Sequence, residues 1–260
     1  MKIFINIDNR NSNSLKTKEE LIKISQELKI EITNEMSECD LIISIGGDGT
    51  FLKSARLSCE KPLIGIHTGT LGFLTEISPK NIKQTLNEIL NENYYIEERM
   101  MLEGEIIRKD GKIEKIPKAL NEIGISKNII GVMRFDVLVN EKLINSYTAN
   151  GILVCTPTGS TAYNLSCGGP IVDPTARILT LTPIDPHSVN NRSIVLSDES
   201  IVEIQITELR DNTTSFVLYD DHPIEVFNED KVKIKKSDKI TKIIKLEKRS
   251  FIDTLRENIN

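Results

Sequence analysis

A chain of 260 residues is long enough for two modest domains, each with a core of its own. Its composition of 39% hydrophobic and 27% charged residues is that of a globular protein, and no apolar run approaches the roughly 20 residues of a membrane span. The net charge of -5 argues against a nucleic-acid-binding protein, which needs a basic face to neutralise phosphates. We therefore expect no nucleic-acid partner and no membrane partner.

Strand-like and helix-like segments alternate in the first part of the chain, as in a layered α/β unit with parallel strands. Apolar residues of the first helix recur at helical spacing, and Thr17 with Glu20 suggests a capping box. The predicted strands are 2–7, 41–45 and 62–66, and the predicted helices are 14–28, 50–59 and 81–90. The pattern predicts an α/β domain over residues 1–95, completed by the helix-like end of segment 245–260.

After residue 96 the pattern changes to short strand-like runs separated by turn signals. Asp110-Gly111 and Asn140-Glu141 are two such turns. In the lysine-rich segment 231–249, Lys alternates with Val and Ile at period two, which favours a strand with one solvated face over a nucleic-acid-binding patch. We predict a second, all-β domain over residues 96–244.

The cysteines and the N-terminal segment indicate the cellular compartment in which the protein works. Cys39, Cys59, Cys155 and Cys167 show no CxxC spacing and stand among apolar or small residues, as reduced thiols do. The apolar run of MKIFINI is too short for a signal peptide. We expect a cytoplasmic protein, and we identify no set of metal ligands because the three histidines fall at no zinc-binding spacing.

A glycine-rich turn follows the predicted strand 41–45. Gly46, Gly47 and Gly49 leave the backbone uncovered, so that phosphate can approach the N–H groups there and the Thr50 that follows. Asp48 would repel phosphate unless Mg²⁺ lay between them, or unless it took a proton from an attacking hydroxyl. Both interpretations favour phosphoryl transfer, whereas the alternative is that Asp48 only caps the next helix.

Two further polar stretches interrupt strand-like runs. Asn121 and Glu122 offer a donor and several acceptors, which suit a ribose diol or an adenine edge, although a simple turn explains them equally well. The loop TPTGSTAYN, residues 156–164, is rich in hydroxyl groups and leads into a second glycine cluster. Such a loop can wrap a nucleotide, with Tyr163 as an aromatic face.

Five sequence blocks together resemble the NAD kinase family. GGDGT alone is shared with diacylglycerol and sphingosine kinases and, more loosely, with phosphofructokinases, whereas the Asn-Glu pair and the GSTAY loop make the match specific. The blocks are GGDGTFLKSAR at 46–56, PLIGIHTGTLGFLTE at 62–76, ALNEIGI at 119–125, TPTGSTAYNLSCGGPIVDP at 156–174 and TPIDPHSVNNRSIVL at 182–196.

The resemblance implies an N-terminal Rossmann-like α/β domain and a C-terminal β-sandwich, with the active site in the crevice between them. It further implies ATP as phosphoryl donor, Mg²⁺ as cofactor and NAD as acceptor. The family is usually a homodimer or a homotetramer with sites near the subunit interface. A diacylglycerol-type lipid kinase and a catalytically silent nucleotide-binding regulator are the alternatives.

The resemblance also implies roles for individual residues. Asp48 would remove the proton of the ribose 2'-hydroxyl of NAD, Phe73 would close over the substrate, and Asn121 with Glu122 would hold the adenine and ribose. The other implied contacts with NAD are Gly49, Thr158, Thr161, Ala162, Tyr163, Asn164 and Ser166.

Two segments depart from the family pattern, and in the first of them Thr148 stands where the family commonly has an arginine. Asn150 stands where the family commonly has the acid of an Arg-Ala-Asp-Gly-like run, and Asp185 stands where a small uncharged residue is common. We expect Asn150 to bond the nicotinamide-side ribose or amide. Asp185 is retained as an NAD contact.

Overall fold

The computed structural model describes residues 1–58, 60–127, 133–187, 191–209, 214–220, 222–246 and 251–259. The chain divides into two compact units, Met1–Arg99 with Ile240–Asn260 (unit 1) and Met100–Lys239 (unit 2). The sequence pattern predicted boundaries at 95/96 and 244/245. Among the described residues, no helix has both the length and the apolar character needed to cross a bilayer.

The strands and helices have the following bounds. Up to residue 90 they are β1 (Lys2–Ile7), α1 (Ser12–Glu27), β2 (Glu31–Thr33), β3 (Leu41–Gly46), α2 (Asp48–Leu57), β4 (Leu63–His67) and α3 (Ile82–Leu90). From residue 95 they are β5 (Tyr95–Ile107), β6 (Ile113–Ala119), β7 (Glu122–Lys127), β8 (Met133–Val139), β9 (Lys142–Ala149), β10 (Gly151–Cys155), α4 (Tyr163–Ser166), β11 (Ile178–Ile184), β12 (Ile194–Ser197), β13 (Val202–Leu209), β14 (Ser215–Tyr219), β15 (His222–Val226), β16 (Lys231–Lys245) and α5 (Phe251–Ile259).

Unit 1 contains a parallel sheet in the order β2-β1-β3-β4, and Ile243, near the end of β16, pairs in parallel with Leu63. Every residue of β3 is buried, as expected for an apolar strand covered on both faces. Apolar residues of α1, α3 and the sheet form one core cluster. The unit is therefore the predicted α/β domain, and the end of β3 carries the glycine-rich turn.

Two helix starts differ from the prediction. The side chain of Asn11 accepts a hydrogen bond from the N–H of Asn13 at 2.9 Å and caps α1, so the capping box predicted at Thr17 and Glu20 is wrong. Helix α2 begins at Asp48, two residues before its predicted start at Thr50. Cys59, its predicted last residue, lies outside the described residues.

Unit 2 is a β-sandwich, as predicted. One antiparallel sheet has six strands in the order β12-β11-β10-β7-β14-β15. The other contains β16, β13, β8 and β9 in that order, with β5 paired to β16 and β6 paired to β5. Residues of both sheets, among them Ile123 and Phe135, share one buried core. The predicted turn at Asn140 and Glu141 is present, and both residues have positive φ.

Candidate active site

The glycine-rich turn of unit 1 joins the end of β3 to the first turn of α2. Gly47 and Gly49 are exposed, and a Cβ atom at either would meet no atom within 4 Å. The first N–H groups of a helix have no intrahelical acceptor and lie at the positive end of its dipole. The turn is therefore suited to an anionic group such as phosphate.

Gly46 and Thr50 are packed against each other in the same turn. Gly46 has a φ of +156°, and a Cβ atom there would lie 2.9 Å from the Cβ atom of Thr50. Only glycine leaves room for the threonine side chain in this conformation. Thr50 is half-buried, and its N–H donates to the carbonyl of Gly47 at 3.0 Å, so it contributes to the shape of the turn.

The Asp48 carboxylate is held by a second loop of unit 1. Oδ1 accepts from the N–H groups of Leu74 and Thr75, both at 3.2 Å, and from Thr75 Oγ1 at 3.1 Å. Oδ2 accepts from the N–H of Phe73 at 2.9 Å. The carboxylate thus bonds to the 73–75 loop rather than capping α2, so the interpretation of Asp48 as only a helix cap is wrong.

The two oxygens of the Asp48 carboxylate accept different numbers of hydrogen bonds. Oδ1 accepts three hydrogen bonds from described residues, whereas Oδ2 accepts one. Because each carboxylate oxygen has two lone-pair sites, Oδ2 retains one for a further proton donor. Asp48 is half-buried and held in one orientation, which is the arrangement that a general base requires.

In unit 2, Asn121 and Glu122 lie where β6 turns into β7, and both are buried at 7% and 5% exposure. The carboxylate of Asp220 accepts from the N–H of Leu120 at 3.3 Å and from that of Asn121 at 2.9 Å. The N–H of Thr156 donates to the carbonyl of Asn121 at 2.8 Å. The predicted Asn-Glu pair and the start of the predicted 156–164 loop are therefore neighbours.

The 156–164 loop is closely packed on this junction. A Cβ atom at Gly159 would lie 2.6 Å from the carbonyl carbon of Asn121, so only glycine fits there. The loop forms a 3-10 turn over Thr158–Thr161 and then α4. Thr158 is buried, Thr161 and Ala162 are half-buried, and Tyr163 and Ser166 are exposed. The last four side chains can thus reach a ligand from the surface of the loop.

Asn164 has a different position from its neighbours, because it is fully buried. Its Nδ2 donates to the carbonyls of Ser160 at 3.3 Å and Pro170 at 3.0 Å, and its Oδ1 accepts from Thr182 Oγ1 at 2.7 Å. These bonds join the loop to the glycine cluster and to β11. Asn164 therefore helps to hold the loop in place, and its contact with NAD stays a prediction.

Asn150 and Asp185, which both depart from the family pattern, contact each other. Asn150 Nδ2 donates to Asp185 Oδ2 at 2.9 Å. The donor group expected to face the nicotinamide side of NAD is thus engaged by a neighbouring carboxylate.

The electrostatics around Tyr163 disfavour further negative charge. Burial raises the pKa of the Tyr163 phenol, and nearby Cys167, Asp185 and Glu122 raise it further. Burial also raises the pKa of the Cys167 thiol to about 11, with added contributions from Asp185 and Glu122. Tyr163 and Cys167 are therefore neutral at pH 7, beside two carboxylates.

Two models of one protein family match most of this chain. The ATP-NAD kinase N-terminal domain matches residues 3–94, and the ATP-NAD kinase C-terminal domain matches residues 120–246. An NAD kinase of Caldanaerobacter subterraneus is 39% identical over 227 residues, which cover 86% of this chain and 79% of the relative. The chain belongs to the NAD kinase family. An NAD kinase of Lachnospira eligens is 36% identical over 245 residues, covering 88% of this chain and 83% of the relative.

Solved structures of the NAD kinase family agree with the fold. An NAD kinase from Archaeoglobus fulgidus in complex with ATP has a TM-score of 0.81 and 26% identity, with 99% of each chain covered. A yeast NADH kinase complexed with NADH has a TM-score of 0.89 over 100% of this chain and 87% of its own, and at 24% identity it supports the fold alone.

Sequence reasoning about this NAD kinase family member missed three residues. Gly72 leaves space for the Asp48 carboxylate, because a Cβ atom there would lie 2.5 Å from Asp48 Cγ. The Asp220 carboxylate accepts a hydrogen bond from the N–H of Asn121, which lies 99 positions earlier in the chain, and so fixes the backbone just before Glu122. Cys167 packs against the apolar cluster of Leu153, Cys155 and Ile184. An aspartate after an apolar strand-like run was the only available signal for Asp220, and it also fits an ordinary turn.

Proposed function

We propose that this chain is an NAD kinase, which transfers the terminal phosphoryl group of ATP to the 2'-hydroxyl of the adenosine ribose of NAD and releases NADP. The single observation that carries the proposal is the Asp48 carboxylate, which is fixed by four donors of residues 73–75 and keeps acceptor capacity on Oδ2. Membership of the NAD kinase family supports the choice of NAD as acceptor.

Asp48 acts as general base in this reaction. Its Oδ2 accepts the proton of the 2'-hydroxyl as the ribose oxygen attacks the phosphorus, and such assistance typically contributes about 10²- to 10⁴-fold in rate. The N–H groups at the start of α2 stabilise the negative charge on the phosphoryl oxygens. The attack is in line and direct, because no residue is needed to carry the phosphoryl group.

Residues of unit 2 hold the NAD molecule. Asn121 and Glu122 bond the adenine and ribose, and Tyr163 offers an aromatic face 38% exposed to solvent. Thr158, Thr161, Ala162 and Ser166 complete the adenosine pocket. The packing of the 156–164 loop against the β6–β7 junction supports this grouping, because it fixes the loop and the Asn-Glu pair as one rigid element.

Mg²⁺ is the proposed cofactor, and the residues present fit an ion carried by the nucleotide. Among the described residues, no group of three or more His, Cys, Asp or Glu side chains could hold a metal ion. Mg²⁺ commonly keeps several waters and is bound through substrate phosphates and one or two carboxylates. The ATP phosphates would carry the ion, because the acceptor site left on Asp48 Oδ2 serves the ribose hydroxyl in this mechanism. The ion supplies neutralisation of phosphate charge when bound.

We further propose a homodimer or homotetramer that works in the cytoplasm, on the basis of family membership and of the free thiols of Cys39, Cys155 and Cys167. Light scattering coupled to size-exclusion chromatography measures the assembly directly. A monomer at the concentrations used for activity measurements would contradict it.

The deciding experiment supplies radiolabelled ATP with Mg²⁺ and either NAD or dispersed diacylglycerol. We expect label in NADP only, verified by reduction of the product with an NADP-specific dehydrogenase. Label in the lipid would favour the lipid-kinase alternative. Binding of NAD and ATP without any labelled product would favour the silent regulator.

A further inference from the structure

A polar side chain interrupts the apolar strand β1. The period of two in a strand puts Ile3, Ile5 and Ile7 on one face, and all three pack in the core cluster formed with α1 and α3. Asn6 therefore lies on the opposite face of the sheet, where it is half-buried. Because Asn is disfavoured inside strands, a specific contact has to account for it.

That contact is with helix α2. Asn6 Nδ2 donates to Ser54 Oγ at 2.7 Å and to the carbonyl of Thr50 at 3.4 Å. Ser54 is fully buried, and its hydroxyl donates to the same Thr50 carbonyl at 3.0 Å. The Ser54 hydroxyl thus accepts from the amide and donates to the carbonyl, so both of its functions are used. These bonds tie the first turns of α2 to β1.

The anchored carbonyl belongs to the glycine-rich turn. Thr50 packs against Gly46, and its N–H bonds to the carbonyl of Gly47. The first N–H groups of a helix have no intrahelical acceptor, and in the proposed mechanism those of α2 bind the phosphoryl oxygens of ATP. Hydrogen bonds weaken steeply as their angle departs from linearity, so these N–H groups must be held in a fixed direction.

Other contacts hold the rest of α2 and the general base without Asn6. Phe51 is fully buried over Gly65 of β4, where a Cβ atom would lie 2.8 Å from Phe51 Cδ2. The Asp48 carboxylate is bonded by residues 73–75. Loss of the Asn6 contact should therefore loosen the first turn of α2 without unfolding the helix or releasing the carboxylate.

We infer that Asn6 is a positioning residue, which acts through Ser54 and Thr50 to orient the N–H groups at the start of α2 toward the phosphates of ATP. This inference rests on the proposed function and adds to it a residue that serves the phosphoryl donor and not the acceptor. Loss of the contact should weaken the binding of MgATP and leave the binding of NAD unchanged.

The test uses two variants whose folding is checked by thermal melting. Asn6→Leu keeps a branched side chain but removes the amide, and Ser54→Ala removes the hydroxyl from a helical position that suits alanine. Steady-state kinetics give the KM for MgATP and for NAD, and calorimetry without NAD gives the Kd for MgATP. Both MgATP constants should rise about three- to tenfold, the effect of losing one hydrogen bond. The KM for NAD should not change.

Ser58→Ala is the matched control. Ser58 is also buried, and its hydroxyl donates to the carbonyl of Ala55 at 2.9 Å, at the other end of α2. The control removes the same kind of bond away from the glycine-rich turn, so both MgATP constants should keep their wild-type values. The variant with both Asn6→Leu and Ser54→Ala should be no weaker in MgATP binding than the weaker single variant, because the two side chains act as one unit.

Wild-type MgATP constants in the folded variants, or an equal rise in Ser58→Ala, would overturn the inference. A rise in the KM for NAD as large as that for MgATP would also overturn it, because a general structural defect affects both substrates. Ser54→Ala decides the question if Asn6→Leu does not fold. Failure of the wild-type protein to phosphorylate NAD would instead overturn the proposed function, and the calorimetric constants would still test the role of Asn6.

Discussion

Replacing Gly72 with alanine perturbs the Asp48 carboxylate without touching a charged or polar side chain. The φ of Gly72 lies outside the left-handed region, so alanine introduces no backbone strain there. The new Cβ atom would lie 2.5 Å from Asp48 Cγ and 2.6 Å from Oδ2. Carbon atoms in contact prefer about 3.5–4.0 Å, so the carboxylate must retreat by roughly 1 Å.

A displacement of this size should affect chemistry far more than substrate binding. A misplacement of about 1 Å can cost about 10²-fold in rate, because the base no longer lines up with the proton that it accepts. We therefore expect kcat of Gly72→Ala to fall about 10²-fold. NAD is held chiefly by residues of unit 2 in the proposed mechanism, so its KM should change little.

The assay measures NADP formation at saturating MgATP, with thermal melting to show that the variant is folded. Gly69→Ala is the matched control, because it adds a methyl group to the same segment where no atom lies within 4 Å. It should retain wild-type activity. A folded Gly72→Ala protein with kcat close to that of the wild type would refute the reasoning that Asp48 must occupy this position.

Three other outcomes follow from the contacts of unit 2. Asp220→Ala removes the acceptor of two buried N–H groups, including that of Asn121. The free energy of unfolding, measured by urea denaturation, should therefore fall by about 2–4 kcal/mol. An unchanged denaturation midpoint would contradict this expectation. Asn164→Asp turns an oxygen toward two backbone carbonyls, so the KM for NAD should rise while kcat changes less. A variant with wild-type kinetics would count against the role of Asn164 in holding the loop. Alkylation of Cys167, followed by mass spectrometry, should show a pKa of about 11, against about 8.5 after unfolding; a native value near 8.5 would contradict the assigned surroundings.

Much of the fold could be predicted from local pattern. The alternating segments of the first 90 residues and the period-two runs after them are set by which faces are buried, and burial is visible in the sequence. The start of α2 was harder to predict, because GGDG is typical of an irregular turn. In the structure Asp48 is already helical. The cap of α1 was missed because Asn11 and Thr17 each offer a suitable oxygen, and only the fold decides which is used.

The candidate site could be predicted as a set of residues but not as a set of contacts. Asp48 is bonded by residues 25 to 27 positions later in the chain, and the partner of Asn150 lies 35 positions away. Motifs indicate chemistry because they keep functional groups adjacent in sequence. Long-range hydrogen bonds leave no such local pattern, so the roles of Gly72 and Asp220 emerged only from the structure.

The most direct test of the central claim measures Asp48→Asn in two assays, the rate of NADP formation and the affinity for NAD. Asparagine keeps the size of the side chain and can still offer an oxygen to Leu74 and Thr75, but it cannot accept the proton of the ribose hydroxyl. The proposed mechanism predicts a rate about 10²- to 10⁴-fold lower with NAD binding unchanged. A rate close to that of the wild type would contradict the role of Asp48 as the general base.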